Sequence, residues 1–116
     1  MSRVAARLPD ISEAEWQKQV IELAHLLGWR VAHFRTAMNA RGHHMTPVAA
    51  DGAGFPDLIL VRDRVIVAEL KTRTGKTSAA QDAWLAAFTA AGISAYCWRP
   101  ADTHEIIDTL RRRSAA

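Results

Sequence analysis

Hydrophobic residues recur with a helical period near the start of the chain and again in its second half. The first set begins after Ser12 and predicts a helix that Gly28 ends. Its apolar residues are Trp16, Val20, Leu23 and Leu27. A second helix is predicted from Ser78 to near Gly92, and a third after Pro100. Their apolar residues are Trp84, Leu85 and Phe88 in the second helix, and Ile106, Ile107 and Leu110 in the third.

Short apolar runs between these helices predict four strands. They lie at 29–34, 58–61, 65–68 and 93–98. The polar tripeptide 62–64 separates the two central runs, which is typical of a β-hairpin.

The predicted order of elements is α-β-β-β-α-β-α, which indicates an α/β fold. A mixed sheet flanked by helices follows, because the helix between the third and fourth strands can act as a parallel crossover. We interpret residues 1–11 as a flexible tail and residues 12–116 as a single domain. The segment 35–54 is polar and has no clear period, so it is predicted to be a long loop with a function or high mobility.

Charge gives only weak support for a polyanionic partner. Fifteen Lys and Arg residues against twelve Asp and Glu residues give a formal net charge of +3. The basic residues are grouped in the polar segment, around the central strands and near the C-terminus: Arg35, Arg41, His43 and His44; Arg62, Arg64, Lys71, Arg73 and Lys76; Arg111, Arg112 and Arg113. The last group can be interpreted as a solvated helix end or as a DNA contact, and the sequence leaves both interpretations open.

The chain has one cysteine, Cys97, so an internal disulfide framework is excluded, and we expect Cys97 to be a small core residue. No apolar stretch is long enough to cross a bilayer. Residues 1–10 lack the apolar block of a secretory signal. A cytoplasmic location without a membrane partner is therefore expected.

Three charged residues flank the predicted hairpin, although their residue types are depleted in strands. Glu69 and Lys71 are two positions apart, so they project from the same face of a strand. A three-residue loop at 62–64 would place Asp57 directly opposite Glu69, with Cβ atoms about 4.5–5.5 Å apart. A two-residue loop would instead send Asp57 to the other face.

Two carboxylates this close repel each other unless a cation lies between them. Their hard oxygen ligands suit Mg²⁺ or Mn²⁺, which can activate water and stabilise charge on a phosphodiester. A neighbouring lysine can orient that water or neutralise the phosphate. Phosphodiester hydrolysis is therefore predicted, with Asp57 and Glu69 as metal ligands and Lys71 as a catalytic residue. A surface ion pair between Glu69 and Lys71 is the structural alternative.

The motifs of this region stand in a distinctive order: Gly54-x-Pro56-Asp57, Glu69-x-Lys71 and Ser78-x-x-Gln81-x-x-Trp84. Together with Glu15-x-x-x-Gln19, they resemble the VRR-NUC branch of the PD-(D/E)XK nuclease superfamily over residues 12–99. The resemblance implies a restriction-endonuclease-like core, a divalent metal ion and cleavage of structured DNA. No nucleotide cofactor is expected.

The resemblance also implies roles for Glu15 and Gln81. Glu15 would help the two central carboxylates to bind metal, and Gln81 would lie near the catalytic residues. Both residues have a structural alternative, because Ser12-x-x-Glu15 and Ser78-x-x-Gln81 fit the capping box at a helix start.

Five basic residues are the predicted DNA contacts. Arg35 and Arg41 belong to the polar segment, and Arg73 and Lys76 belong to the loop after Lys71, for which simple solvation is the alternative. Arg99 is the one match to the Val-x-Arg-Arg motif that gives the family its name.

These observations predict a metal-dependent, structure-selective DNA endonuclease that acts on branched DNA in replication, recombination or repair. Stand-alone members of the family are similar to Holliday-junction resolvases and tend to dimerise, so a homodimer is predicted. A flap or restriction-type nuclease with the same site is the alternative enzyme. A DNA-binding subunit of this fold without catalysis is the alternative from another class.

Overall fold

The computed structural model describes residues 10–34, 37–38, 44–45 and 49–114. The helices and strands are α1 (Glu13–Leu26), β1 (Arg30–His33), β2 (Ala37–Met38), β3 (His44–Met45), β4 (Leu58–Val61), β5 (Val65–Leu70), α2 (Ala79–Ala90), β6 (Ser94–Trp98), a 3-10 helix (Pro100–Asp102) and α3 (Thr103–Arg111). Every predicted element is present. Most of the predicted tail, residues 1–9, lies outside the described residues.

Four strands form a mixed sheet in the order β1-β4-β5-β6. β1 pairs with β4 and β4 with β5 in antiparallel fashion, whereas β5 and β6 are parallel. Helix α2 makes the crossover between the two parallel strands, as such a pair requires. The α/β fold with a mixed sheet and flanking helices is therefore confirmed, and it is consistent with a restriction-endonuclease-like core.

The central hairpin has the register that a three-residue loop requires. Val61 pairs with Val65, and Leu58 pairs with Ala68 at the far end of the ladder. One step beyond this last pair, Asp57 and Glu69 come opposite each other at the end of the sheet. The open question about the loop is thus resolved in favour of the register that brings the two carboxylates together.

Helices α1 and α3 supply the hydrophobic core on one face of the sheet. The buried residues are Trp16, Val20 and Ala24 from α1, Ile106 and Leu110 from α3, and Leu58, Leu60, Ile66, Ala68, Leu70 and Trp98 from the sheet. The two buried indole N–H groups are satisfied by backbone, because Trp16 donates to the Trp98 carbonyl at 3.1 Å and Trp29 donates to the Leu110 carbonyl at 2.9 Å.

Two of the basic residues around the hairpin bind helix ends. Arg62 donates to the carbonyls of Leu27 and Arg112, and Arg64 donates to those of Thr109 and Arg112. Both guanidinium groups also lie over the Trp29 ring, at 4.6 and 5.1 Å from its centroid. These contacts satisfy carbonyls that a helix leaves free at its C-terminus, so both arginines have a structural role.

The segment 35–54 differs in part from the predicted loop, because the two-residue strands β2 and β3 pair within it as a separate antiparallel ribbon. Strands this short are not visible in a hydrophobic pattern, which needs about four residues of alternation. Within the part of the chain that the structure describes, no helix has the length and apolarity that crossing a membrane requires.

Candidate active site

Asp57 is held at the start of β4 by backbone contacts on both sides. Its Oδ2 accepts a hydrogen bond from the Leu70 amide at 2.8 Å, across the hairpin. Its own carbonyl accepts from the Phe34 amide at 2.8 Å, next to the end of β1. The side chain therefore points across the hairpin toward the end of β5. Its other carboxylate oxygen, Oδ1, takes no part in the contact with Leu70.

Glu69 is the buried ionisable residue of the site. It is 2% exposed, in a strand whose other residues are all apolar. Its Oε2 accepts a hydrogen bond from Gln81 Nε2 at 2.8 Å and lies 3.6 Å from Lys71 Nζ. Its Oε1 is buried and has no hydrogen-bond partner among the described residues. A buried carboxylate oxygen without a partner is costly unless something outside the chain satisfies it.

Burial and the negative charge of Asp57 together raise the pKa of Glu69 from 4.5 to about 8. The Lys71 ammonium lowers this pKa, but it offsets only part of the increase. The local electrostatics therefore favour one more positive charge beside Glu69, supplied either by a proton or by a cation.

The donor set of the site fits a hard divalent cation. Asp57 and Glu69 present carboxylate oxygens at one end of the sheet, and the unpartnered Oε1 of Glu69 is the atom that such an ion would satisfy. Among the residues that the structure describes, no three His, Cys, Asp or Glu side chains form a metal-binding group. Mg²⁺ commonly keeps several waters and binds through one or two carboxylates, so two ligands from the chain are sufficient.

Glu15 is exposed on the first turn of α1 and does not form a three-carboxylate cluster with Asp57 and Glu69. Its backbone amide donates to Ser12 Oγ at 3.1 Å, which is one of the two hydrogen bonds of the capping box that was its alternative role. Metal binding by Glu15 stays a prediction.

Gln81 has both roles that the sequence left open. Its Oε1 accepts from the Ser78 amide at 2.8 Å, and its own amide donates to Ser78 Oγ at 3.1 Å, which completes a capping box. Its Nε2 remains available and donates to Glu69. One side chain thus caps the start of α2 and orients the buried carboxylate, since an amide has both an acceptor and donors.

Gly54 brings α2 close enough for this contact. A Cβ at this position would lie 2.6 Å from the Ala80 carbonyl carbon and 2.7 Å from the Gln81 nitrogen. Its φ of +80° is also a conformation that L side chains rarely adopt. The glycine of the Gly-x-Pro-Asp motif therefore permits the close approach between the Asp57 segment and the first turn of α2.

An aromatic cluster fixes the same approach from the other side. The Phe55 ring makes edge-on contacts with Phe34, Trp84 and Phe88, with ring centroids 5.0–5.8 Å apart. Trp84 Nε1 donates to the carbonyls of Asp51 and Ala53. Trp84 and Phe88, two of the apolar residues of the predicted second helix, are partly buried in this cluster. Phe34 and Phe55 were not singled out from the sequence, although Phe55 stands inside the motif.

The predicted DNA contacts have different surroundings. Arg73 is exposed and pairs with Asp10 through two hydrogen bonds of 2.9 and 3.0 Å, and Lys76 is exposed on the same loop. Arg99 is partly buried and donates to the carbonyls of Thr72 and Gly75. Arg35 and Arg41 lie outside the described residues. A DNA contact by each of the five stays a prediction.

Cys97 pairs in register with Glu69 on the neighbouring strand and is half-buried. Burial raises the pKa of its thiol, with Arg99 acting in the opposite direction. A neutral thiol fits the expectation of a packing residue more closely than that of a reactive nucleophile.

The chain was compared with known families, curated proteins and solved structures. The family model of the VRR-NUC domain matches residues 6–101, which includes the whole sheet and all the site residues described above. No curated protein and no solved structure matched the chain.

Proposed function

Since the chain belongs to the VRR-NUC family of the PD-(D/E)XK nuclease superfamily, we propose that it is a divalent-metal-dependent deoxyribonuclease that cleaves branched DNA. One observation carries the metal dependence: Glu69 is buried beside Asp57 and Lys71, and one of its oxygens has no partner among the described residues. A buried glutamate beside a second carboxylate favours a bound cation, because its unpartnered oxygen is costly and a scaffold without chemistry has no need of it.

Asp57 and Glu69 would hold the ion, which we expect to be Mg²⁺ or Mn²⁺. When bound, such an ion supplies a water of lowered pKa and stabilises the charge that develops on the phosphate. Glu15 is a further candidate ligand if the first turn of α1 approaches the site in the complex with DNA.

Lys71 supplies the fixed positive charge of the reaction. Its Nζ lies 3.6 Å from Glu69 Oε2, and its side chain is 17% exposed, so the ammonium can contact solvent or a phosphate while it stays paired. From this position it can orient the attacking water or donate a hydrogen bond to a phosphate oxygen. Gln81 would act with it by keeping Glu69 in one rotamer, because its hydrogen bond leaves only Oε1 open.

The loop between Lys71 and α2 is a candidate surface for the DNA backbone. Arg73 and Lys76 are exposed there, in the segment that directly follows Lys71. Arg35 and Arg41 are further proposed DNA contacts. Phosphate contacts of this kind position DNA without reading its sequence, which suits an enzyme that selects a DNA structure.

A cleavage assay on labelled four-way junction, flap, single-stranded and linear duplex DNA tests the proposal. We expect cutting with Mg²⁺ or Mn²⁺, none with EDTA, and loss of cutting in Asp57→Asn, Glu69→Gln and Lys71→Gln. The matched control is Arg30→Ala, because Arg30 begins β1 at the end of the strand away from Asp57. Preference for a flap would favour the alternative nuclease, and DNA binding without cutting would favour a non-catalytic subunit.

We further propose a homodimer, because symmetrical cutting of a four-way junction needs two active sites. Sedimentation equilibrium at micromolar concentration should give the mass of a dimer. A monomer under these conditions would contradict junction resolution. Nuclease activity on other DNA structures would then be the function that remains.

A further inference from the structure

Arg99 makes contacts that a residue on a DNA-binding surface does not need. Its Nη1 donates to the Thr72 carbonyl at 2.7 Å and to the Gly75 carbonyl at 2.5 Å. Its own backbone amide donates to Asp102 Oδ2 at 2.9 Å, which fixes the start of the 3-10 helix. Both hydrogens of Nη1 are therefore used within the chain, and the side chain is anchored where β6 ends.

The two carbonyls belong to the loop that begins immediately after Lys71. The Lys71 amide donates to the Trp98 carbonyl at 3.0 Å, which closes the last pair of the parallel ladder, Leu70 and Trp98, so Lys71 and Arg99 both directly follow this pair. A Cβ at Gly75 would lie 3.6 Å from Lys71 Cδ, which is van der Waals distance. The middle of the loop thus lies against the aliphatic part of the Lys71 side chain.

The same loop leads directly into the capping box of α2. It connects Lys71 to Ser78, and Gln81, in the first turn, donates to Glu69. Two of the side chains that contact Glu69 therefore stand at the two ends of one short loop. A restraint in the middle of that loop limits the movement of both ends.

We propose that Arg99 is a positioning residue for the nuclease reaction: it holds residues 72–77 against Lys71 and so keeps the Lys71 ammonium beside Glu69. The inference rests on the proposed nuclease function for its kinetic consequence. Its structural part, the restraint of the loop, is independent of catalysis. It assigns Arg99 a role different from the DNA contact that the family motif implies.

Arg99→Lys separates the two roles because it keeps the charge but ends one bond earlier. A lysine can still attract a phosphate as a point charge, so a DNA contact would largely survive the change. The ammonium group of a lysine would not reach the position of Nη1, so it could not donate to both carbonyls. The loop restraint would therefore be lost. Arg99→Ala with added guanidinium ion is the second variant, because the small ion can replace the missing hydrogen bonds.

The experiment measures kcat, KM and DNA affinity for wild type, Arg99→Lys and Arg99→Ala, with Arg30→Ala as the control. We expect kcat to fall about tenfold or more in both Arg99 variants, since small misplacements near reacting groups cost this much. KM and the Kd for DNA should stay within about twofold of the wild-type values. The loss of a charge contact to DNA would change both by more than this. Guanidinium should restore part of kcat in Arg99→Ala and leave Arg30→Ala unchanged.

Amide hydrogen exchange on the free protein provides a readout that does not depend on activity. Exchange at the Lys71 and Ser78 amides, which donate hydrogen bonds at the two ends of the loop, should be faster in Arg99→Lys than in wild type. Exchange in β4 and β5 should stay unchanged, which shows that the fold is intact. Unchanged exchange at both ends of the loop would overturn the proposal even if the wild type cuts no DNA. A variant with faster loop exchange but full kcat, or one that loses DNA affinity at constant kcat, would overturn it as well.

Discussion

Replacing Glu69 by Gln should stabilise the metal-free protein at high pH, although it removes a proposed metal ligand. The glutamine can keep the hydrogen bond from Gln81, because its carbonyl oxygen accepts as Glu69 Oε2 does. Its NH₂ group can donate toward Asp57, where Glu69 presents a second negative charge. The substitution therefore removes the buried charge without opening a cavity.

The magnitude follows from the pKa of Glu69, which folding raises from 4.5 to about 8. Because the folded-state pKa is the higher of the two, the folded protein binds the proton more tightly, and its stability falls as the pH rises from 4.5 to 8. At about 1.4 kcal/mol for each pH unit, the whole interval corresponds to roughly 5 kcal/mol. Screening and relaxation at a site open to metal and DNA reduce this value, and we expect about 2 kcal/mol.

Thermal unfolding in EDTA at pH 5 and at pH 8.5 tests this value. The Tm of Glu69→Gln should exceed that of wild type by roughly 5–10 °C at pH 8.5, and the difference should shrink at pH 5. Adding Mn²⁺ at pH 8.5 should raise the Tm of wild type and leave Glu69→Gln unchanged. A variant that is less stable than wild type at both pH values would refute the reasoning, because Glu69 would then be stabilised as a carboxylate by the chain alone.

Three further substitutions test other parts of the structure. Gly54→Ala should lower the free energy of unfolding by about 2 kcal/mol and the cleavage rate by about tenfold or more, because the added Cβ would displace the first turn of α2. Unfolding in urea and the cleavage assay measure the two effects. Arg64→Ala should lower the free energy of unfolding by about 1–2 kcal/mol in urea, since two carbonyls lose a charged donor, with an unchanged cleavage rate. Arg73→Ala should raise KM and reduce the slope of log Kd against log salt concentration by about one, and an unchanged slope would remove Arg73 from the DNA contacts.

The sheet and the juxtaposition of Asp57 and Glu69 at its end could be predicted because the relevant signals are local. Two apolar runs and a three-residue polar loop determine a hairpin, and the period of two along a strand then determines which side chains share a face. The placement of Asp57 opposite Glu69 follows from this counting alone. The N-cap at Ser12 and the capping box at Ser78 could likewise be predicted, since a cap joins residues three positions apart.

Contacts between distant segments could not be predicted in the same way. The arginines at 62 and 64 looked like part of a basic surface, but they bind carbonyls at helix ends that only the tertiary structure brings near. The carbonyls that Arg99 contacts could not be predicted either, because a motif shows residue type and order but not what the side chain reaches. Whether Gln81 has one role or both stayed open, because a hydrophobic pattern does not show where α2 lies relative to β5.

Calorimetric titration of the free protein with Mn²⁺ tests most directly whether Asp57 and Glu69 form a divalent-metal site. Wild type at pH 7 should bind the ion and release a proton, detected as a dependence of the heat on the buffer, because Glu69 is mostly protonated below a pKa of about 8. Glu69→Gln should not bind, and Arg30→Ala should bind as wild type does. Absence of binding by wild type, or equal binding by Glu69→Gln, would contradict the account.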